Sequence, residues 1–228
     1  MPRPPCPRCQ DLAPAVHHRT VIVNGLEVFY REAGASPSPT LVLLHGFPAS
    51  SHMFRHLIPA LADRYHVIAP DHIGFGRSAM PSPEDFPYTF EALTEDTAGL
   101  LQHLGIDRYA LYVQDYGAPI GWRLALQYPD RITAIITQNG NAYEEGFVKP
   151  FWDGVFAYAT APGPRLPGPA AGGPGRRRRD LRPRRRHGIQ PGSAQRRDPS
   201  AGVGHFALES HLDTIAEHIR TFLTGALA

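Results

Sequence analysis

Lysine is nearly missing from this chain. Lys149 stands alone among 23 basic residues, the other 22 being arginine, a bias that points to a GC-rich gene. Cysteine is almost as scarce. Cys6 and Cys9 form a Cys-Pro-Arg-Cys pair, too few for a disulfide framework, and a zinc site would have to borrow His17 and His18. The pair is expected to be incidental in a mobile tail, with no metal bound and no cofactor required. No apolar run approaches the ~20 residues that span a bilayer, and the N-terminus lacks the apolar core of a signal peptide. The expectation is therefore a cytoplasmic protein with no membrane partner. A strand–Gly-x-Gly-x-x-Gly–helix unit is also lacking, which argues against a dinucleotide site.

Charge is unevenly placed. Formal net charge is +2 over 228 residues, long enough for one domain with a substantial core. Residues 161–200 hold 11 Arg and 2 Asp, a net of +9, so the remainder carries −7. In that segment Arg, Pro, Gly and Ala supply 30 of 40 residues, and Leu166, Leu181 and Ile189 are its only large apolar side chains. Such a composition cannot build a strand or bury a core, and the segment is expected to be disordered. It resembles GC-rich codons read out of frame more than a native linker. The competing reading, a true arginine-rich arm, would bind nucleic acid or a membrane surface with steep salt dependence; no nucleic-acid partner is expected here.

Elsewhere the pattern is regular. Residues 1–16 carry five prolines and no periodicity and read as a disordered leader. Thr20–Val23 and Leu26–Arg31 flank Asn24-Gly25, a strong hairpin signal. Thr40–Leu44 is a continuous apolar run, as in a buried parallel strand, and ends in His45-Gly46-Phe47-Pro48. Ser50 or Ser51 is placed to cap a helix reaching Leu61. Tyr65–Ala69 reads as a further strand, followed by the loop Asp71 to Ser78. Phe90, Leu93, Thr97, Leu100, Leu101 and Leu104 keep helix spacing, with Gly105 as the stop. Tyr109–Val113 and Ile132–Thr137 read as buried strands around a helix over 118–128. After residue 200, Leu212, Ile215, Ile219, Phe222 and Leu223 mark an amphipathic helix. Strands alternating with helices predict an α/β fold with a mostly parallel sheet covered on both faces. Its ligands should lie at the carboxyl ends of the strands, where His45, Gly46, Phe47, Asp115 and Asn139 fall.

The chain is organised around Tyr109 to Trp122. A strand turns directly into a helix there, with small Gly117 and Ala118 permitting the sharp turn. Asp115 stands at the tip, beside a helix N-terminus that favours negative charge. The layout is a nucleophile elbow with aspartate where serine usually sits; an aspartate that merely caps the helix is the plain alternative.

Four motifs carry a resemblance. His45-Gly46-Phe47-Pro48, Asp71 to Ser78, Val113-Gln114-Asp115-Tyr116-Gly117 and Gly204-His205-Phe206 occur in the order of an α/β-hydrolase of the haloalkane dehalogenase and epoxide hydrolase branch. The likeness covers roughly 18–158 and 202–224. It implies the α/β-hydrolase fold, with Asp115 as nucleophile and His205 as base. The backbone N–H groups of Phe47 and Tyr116 would form the oxyanion hole. It further implies a small apolar organic substrate, an epoxide or a haloalkane, and divides the chain into a core over 17–142, a lid remnant over 143–160, the scrambled 161–200 and a returning core segment over 201–228.

Departures bear on substrate and competence. Tyr116 stands where dehalogenases commonly place a halide-binding tryptophan, and Phe47 in the oxyanion loop is closer to epoxide hydrolases. Tyr143 and Tyr158 resemble remnants of lid tyrosines. A histidine base also needs a carboxylate orienter. The family places one after the sixth or the seventh strand; Asn139 occupies the first place, and Asp180 is the surviving candidate for the second. Late strands and lid read as truncated or scrambled, so a catalytically defective or purely binding chain is the second reading. Oligomeric state is not legible.

Overall fold

The computed structural model describes residues 14–35, 37–141 and 205–227. Six strands form one sheet: β1 (His17–Val23), β2 (Leu26–Ala33), β3 (Thr40–Leu44), β4 (His66–Pro70), β5 (Tyr109–Gln114) and β6 (Ile132–Gln138). Their order is β1-β2-β4-β3-β5-β6. The first two pair as a hairpin and β2 runs antiparallel to β4, whereas β4, β3, β5 and β6 are mutually parallel neighbours. The hairpin starts at His17, three residues earlier than its composition suggests, because His17–Arg19 pair with Tyr30–Glu32 despite their polarity. Asn24 and Gly25 take positive φ at its turn, 51° and 82°, as a two-residue hairpin requires.

The side-chain period of two explains why the central strands are apolar throughout. On β3, Leu41 and Leu43 face one layer while Val42 and Leu44 face the other; on β5, Ala110 and Tyr112 oppose Leu111 and Val113. The first layer is α1 (Leu57–Leu61) and the C-terminal helix α4 (Leu212–Ala226). The second is α2 (Phe90–His103) and α3 (Gly117–Gln127). The expected helix up to Leu61 is instead two pieces, a 3₁₀ turn at Ser51–Phe54 followed by α1. Ser50 is its cap, with Oγ accepting from the His52 N–H at 3.3 Å. Gly105 stops α2 with φ 66°.

The C-terminal segment returns to the core. Ala216, Ile219 and Leu223 are buried, but Phe222, assigned to the buried face from its spacing, is 43% exposed. It lies one position off the buried Ala216–Ile219–Leu223 stripe, which Leu212 and Ile215 flank as partly buried neighbours. Arg220 forks onto Asp63 at 2.6 and 3.0 Å, and Arg55 onto Glu209 at 2.9 and 2.7 Å. These pairs are exposed and each contributes about 1 kcal/mol or less; their geometric effect is to fix the returning chain against α1 and the 3₁₀ turn. Among the described residues no helix is long and apolar enough to cross a membrane. The Cys6–Cys9 pair, the lid remnant with Tyr143 and Tyr158, and the 161–200 segment with Asp180 lie outside the described residues.

Candidate functional site

Asp115 follows β5 directly and takes φ 50°, a left-handed conformation uncommon for aspartate. The turn is held tight by close packing. A Cβ on Gly117 would stand 2.2 Å from the Leu44 carbonyl oxygen, so only glycine lets α3 start there. The N-cap of α3 is Tyr116, whose side chain makes no cap hydrogen bond. The Asp115 carboxylate turns toward the adjoining loop. Its Oδ1 accepts from the Phe47 N–H at 2.8 Å and from the Tyr116 N–H at 2.7 Å. One carboxylate oxygen is thereby fixed between two backbone donors, and Oδ2 is left to face His205 Nε2 at 3.7 Å.

Gly46 makes that approach possible. A side chain there would meet Asp115 Cβ at 2.3 Å and Oδ1 at 2.6 Å. The loop after β4 is anchored separately. Asp71, 2% exposed, accepts from the Ser51 N–H at 2.7 Å and the Arg77 N–H at 2.8 Å; its backbone carbonyl accepts from Ser78 Oγ, which itself accepts from the Phe29 N–H. The Asp-x-x-Gly-x-Gly-x-Ser pattern is thus a tie between loop, hairpin and 3₁₀ turn, and it contributes no reactive group. Asp71→Ala orphans two backbone donors. It is expected to lower unfolding free energy by about 2–5 kcal/mol, read from urea denaturation midpoints; a change below ~1 kcal/mol would show that water replaces the carboxylate without loss.

His205 is held by amides. Asn139 Nδ2 donates to its backbone carbonyl at 2.9 Å and Gln138 Nε2 at 3.3 Å, while Gln114 Nε2 lies 2.9 Å from the ring Nε2. Gln138 is itself bonded by the buried Tyr112 hydroxyl, whose pKa burial raises. Gln114 is fully buried, and its Oε1 has no partner among the described residues. No described carboxylate bonds His205 Nδ1. Neither Gln114 nor Gln138 is given a role by the sequence. The only signal was position: one precedes Asp115, and the other ends β6. His72 was missed similarly; it is buried 4.3 Å, ring to ring, from His45. His211 and His218 are exposed.

Aromatic rings cluster on the residue that follows Asp115. Tyr116 is the hub, with Phe90 at 5.2 Å, Phe47 at 5.8 Å and Phe75 at 6.4 Å between centroids. Phe47 is 55% exposed, so this apolar wall faces outward on the Asp115 side. Burial, then the charge of Asp115, raises the pKa of the Tyr116 hydroxyl and keeps it protonated. Among the described residues, no group of three or more His, Cys, Asp or Glu side chains is arranged to hold a metal ion.

This arrangement of parallel sheet and strand–turn–helix elbow has a match in sequence. Residues 39–161 match the family described as the alpha/beta hydrolase fold. The chain belongs to that family. Among its α/β-hydrolase relatives, an uncharacterized hydrolase of Saccharomyces cerevisiae is 52% identical over 141 residues, covering 62% of this chain and 48% of the yeast protein. Epoxide hydrolase A of Mycobacterium tuberculosis is 38% identical over 133 residues, 58% of this chain and 41% of that one. Among solved structures, the haloalkane dehalogenase DbeA of Bradyrhizobium elkani superposes with a TM-score of 0.51 at 34% identity, covering 56% of this chain and 42% of its own. The chain thus spans about half or less of the length of these relatives.

Proposed function

We propose that this α/β-hydrolase chain carries the site of an epoxide- or haloalkane-cleaving hydrolase that works through an alkyl ester on Asp115. The observation that supports this most is the division of labour between the two carboxylate oxygens. Oδ1 is held by the Phe47 and Tyr116 amides, and Oδ2 is turned toward His205. Attack by Oδ2 on an sp³ carbon forms the Oδ2–C bond and breaks the bond to halide or to the epoxide oxygen, which then takes a proton. The ester's carbonyl oxygen is then Oδ1, already between two amide donors. Water deprotonated by His205 adds to Asp115 Cγ, and the negative charge develops on Oδ1. Collapse releases the product alcohol with Oδ2 and restores the carboxylate with an oxygen from water. The outward wall of Phe47, Phe75, Phe90 and Tyr116 suits an apolar substrate. The names of the relatives support the same two substrate classes.

Heavy-oxygen water distinguishes this route from direct attack by water. A single turnover with excess enzyme should leave one label in the Asp115 carboxylate and none in the product alcohol. Label in the product on the first turnover, with Asp115 unlabelled, would eliminate the nucleophile role.

A second reading has its own support. The family match stops at residue 161, where the Arg/Pro/Gly-rich stretch begins, and no described carboxylate orients His205. A chain impaired in turnover fits both facts. Translating codons 160–202 in all three frames, then assaying this chain beside a frame-restored version on styrene oxide and a bromoalkane, separates the readings. Equal rates would dispose of the defect.

A further inference from the structure

Behind the Gly46–Phe47 turn lies a buried pair of imidazoles whose tautomers are fixed by main-chain partners. The backbone N–H of His72 donates to His45 Nε2 at 3.1 Å, so that nitrogen holds a lone pair. The proton of His45 therefore sits on Nδ1 and is donated to the Gly46 carbonyl at 3.0 Å. His72 Nε2 meets the His45 carbonyl at 3.1 Å, and a carbonyl only accepts, so Nε2 carries the proton of His72. Burial, reinforced by His45, lowers the pKa of His72 well below the usual range and leaves it neutral. What remains is His72 Nδ1, a buried lone pair with no partner among the described residues.

His72 lines a small internal cavity between β4 and α2, with Asp71, Asp96 and Thr97 as its other polar neighbours. Asp71 is committed to two backbone amides, and the Thr97 hydroxyl to the Leu93 carbonyl at 2.8 Å. Asp96 is half committed. Its Oδ1 accepts from Asn24 Nδ2 at 2.9 Å, but Oδ2 is buried without a partner. Two residues of the cavity lining thus each carry a buried atom with no partner among the described residues, His72 Nδ1 and Asp96 Oδ2. About 10 Å³ of it is open to the centre of a water molecule, room for one. A ligand that satisfies both acceptors must be that small and must donate twice.

We propose that this cavity binds one water molecule, which donates to His72 Nδ1 and to Asp96 Oδ2 and makes Asp96 a positioning residue for the loop bearing Phe47. The bonded line then runs from Asn24 at the hairpin turn through Asp96, the water, His72 and His45 to the Gly46 carbonyl. The residue after Gly46 supplies one of the two amides on Asp115 Oδ1. The water site stands whether or not Asp115 is a nucleophile; only its bearing on turnover rests on that reading.

The test is structural. In the full chain with ¹⁵N-labelled histidine, His72 should appear as the neutral Nε2–H tautomer, with Nδ1 shifted as a hydrogen-bond acceptor. A crystal structure should show one water within about 2.7–3.2 Å of both atoms. Asp96→Leu removes one partner, so His72 Nδ1 should move toward a free lone pair and the Phe47 amide resonance should shift with it. Asp96→Asn keeps a polar contact for the water and should restore both signals. A proton on His72 Nδ1, a direct Asp96–His72 bond from a protonated carboxyl, or a dry cavity would each overturn the proposal in the unaltered protein, even if the leucine variant fails to fold.

Discussion

His205→Gln is expected to stop the second half of the proposed reaction and leave the first half running. Ester formation uses Asp115 Oδ2, which the histidine does not hydrogen-bond at 3.7 Å. Ester hydrolysis needs a base for water, a contribution of roughly 10²–10⁴ in rate. The variant should therefore accumulate an adduct with the mass of the alkyl group, seen by mass spectrometry on the peptide containing Asp115, while steady-state turnover falls by that factor. The glutamine keeps a polar side chain beside Gln114, so the loop should stay in place. Absence of adduct with any substrate that the parent chain turns over would show that His205 acts before the ester forms, or not at all.

Gly46→Ala is expected to damage the same site from the opposite side. Its methyl would arrive 2.3 Å from Asp115 Cβ and 2.7 Å from Gln114 Oε1, and both belong to the elbow and not to a free side-chain end. The loop has to retreat, and the Phe47 amide retreats with it. Loss of one oxyanion donor costs on the order of 10²–10³ in turnover, about 3–4 kcal/mol. The amide serves the charge that develops on Oδ1 during hydrolysis, so hydrolysis should slow by that factor; the methyl also presses on Asp115 Cβ, so adduct formation through Oδ2 should slow as well, in contrast to the histidine variant. Thermal unfolding measured alongside separates misplacement from collapse. A variant with the parent's turnover would mean that the loop gives way without moving its amide.

Much of the fold was legible because burial on both faces leaves a mark in sequence. Leu41–Leu44 and Tyr109–Val113 have no polar face, and only a strand covered twice needs that. The elbow was legible because the turn geometry demands small residues at Gly117 and Ala118. Contacts that depend on distant pairing were not legible. Asn139 was read as a carboxylate position lacking its charge; its amide instead bonds the backbone of residue 205. His72 looked like one histidine among twelve until the β4 loop folded it under His45. Phe222 fits a helical stripe on paper, yet the α4 residues buried in the layer beneath are Ala216, Ile219 and Leu223, with Leu212 and Ile215 partly buried beside them. The groups that orient His205 from the ring's other nitrogen cannot be read from the local pattern, since that pattern is lost after residue 160.

The bond between Asn139 and His205 joins two positions 66 apart in sequence. It pins the stem of whatever chain runs between them, while Glu209 and Arg220 fasten the far side of that stem to Arg55 and Asp63. Once a stem is pinned, the entropy of closing it grows only as the logarithm of length, roughly 0.6 kcal/mol for each doubling. Insertions and deletions between residues 142 and 204 are therefore cheap for the sheet.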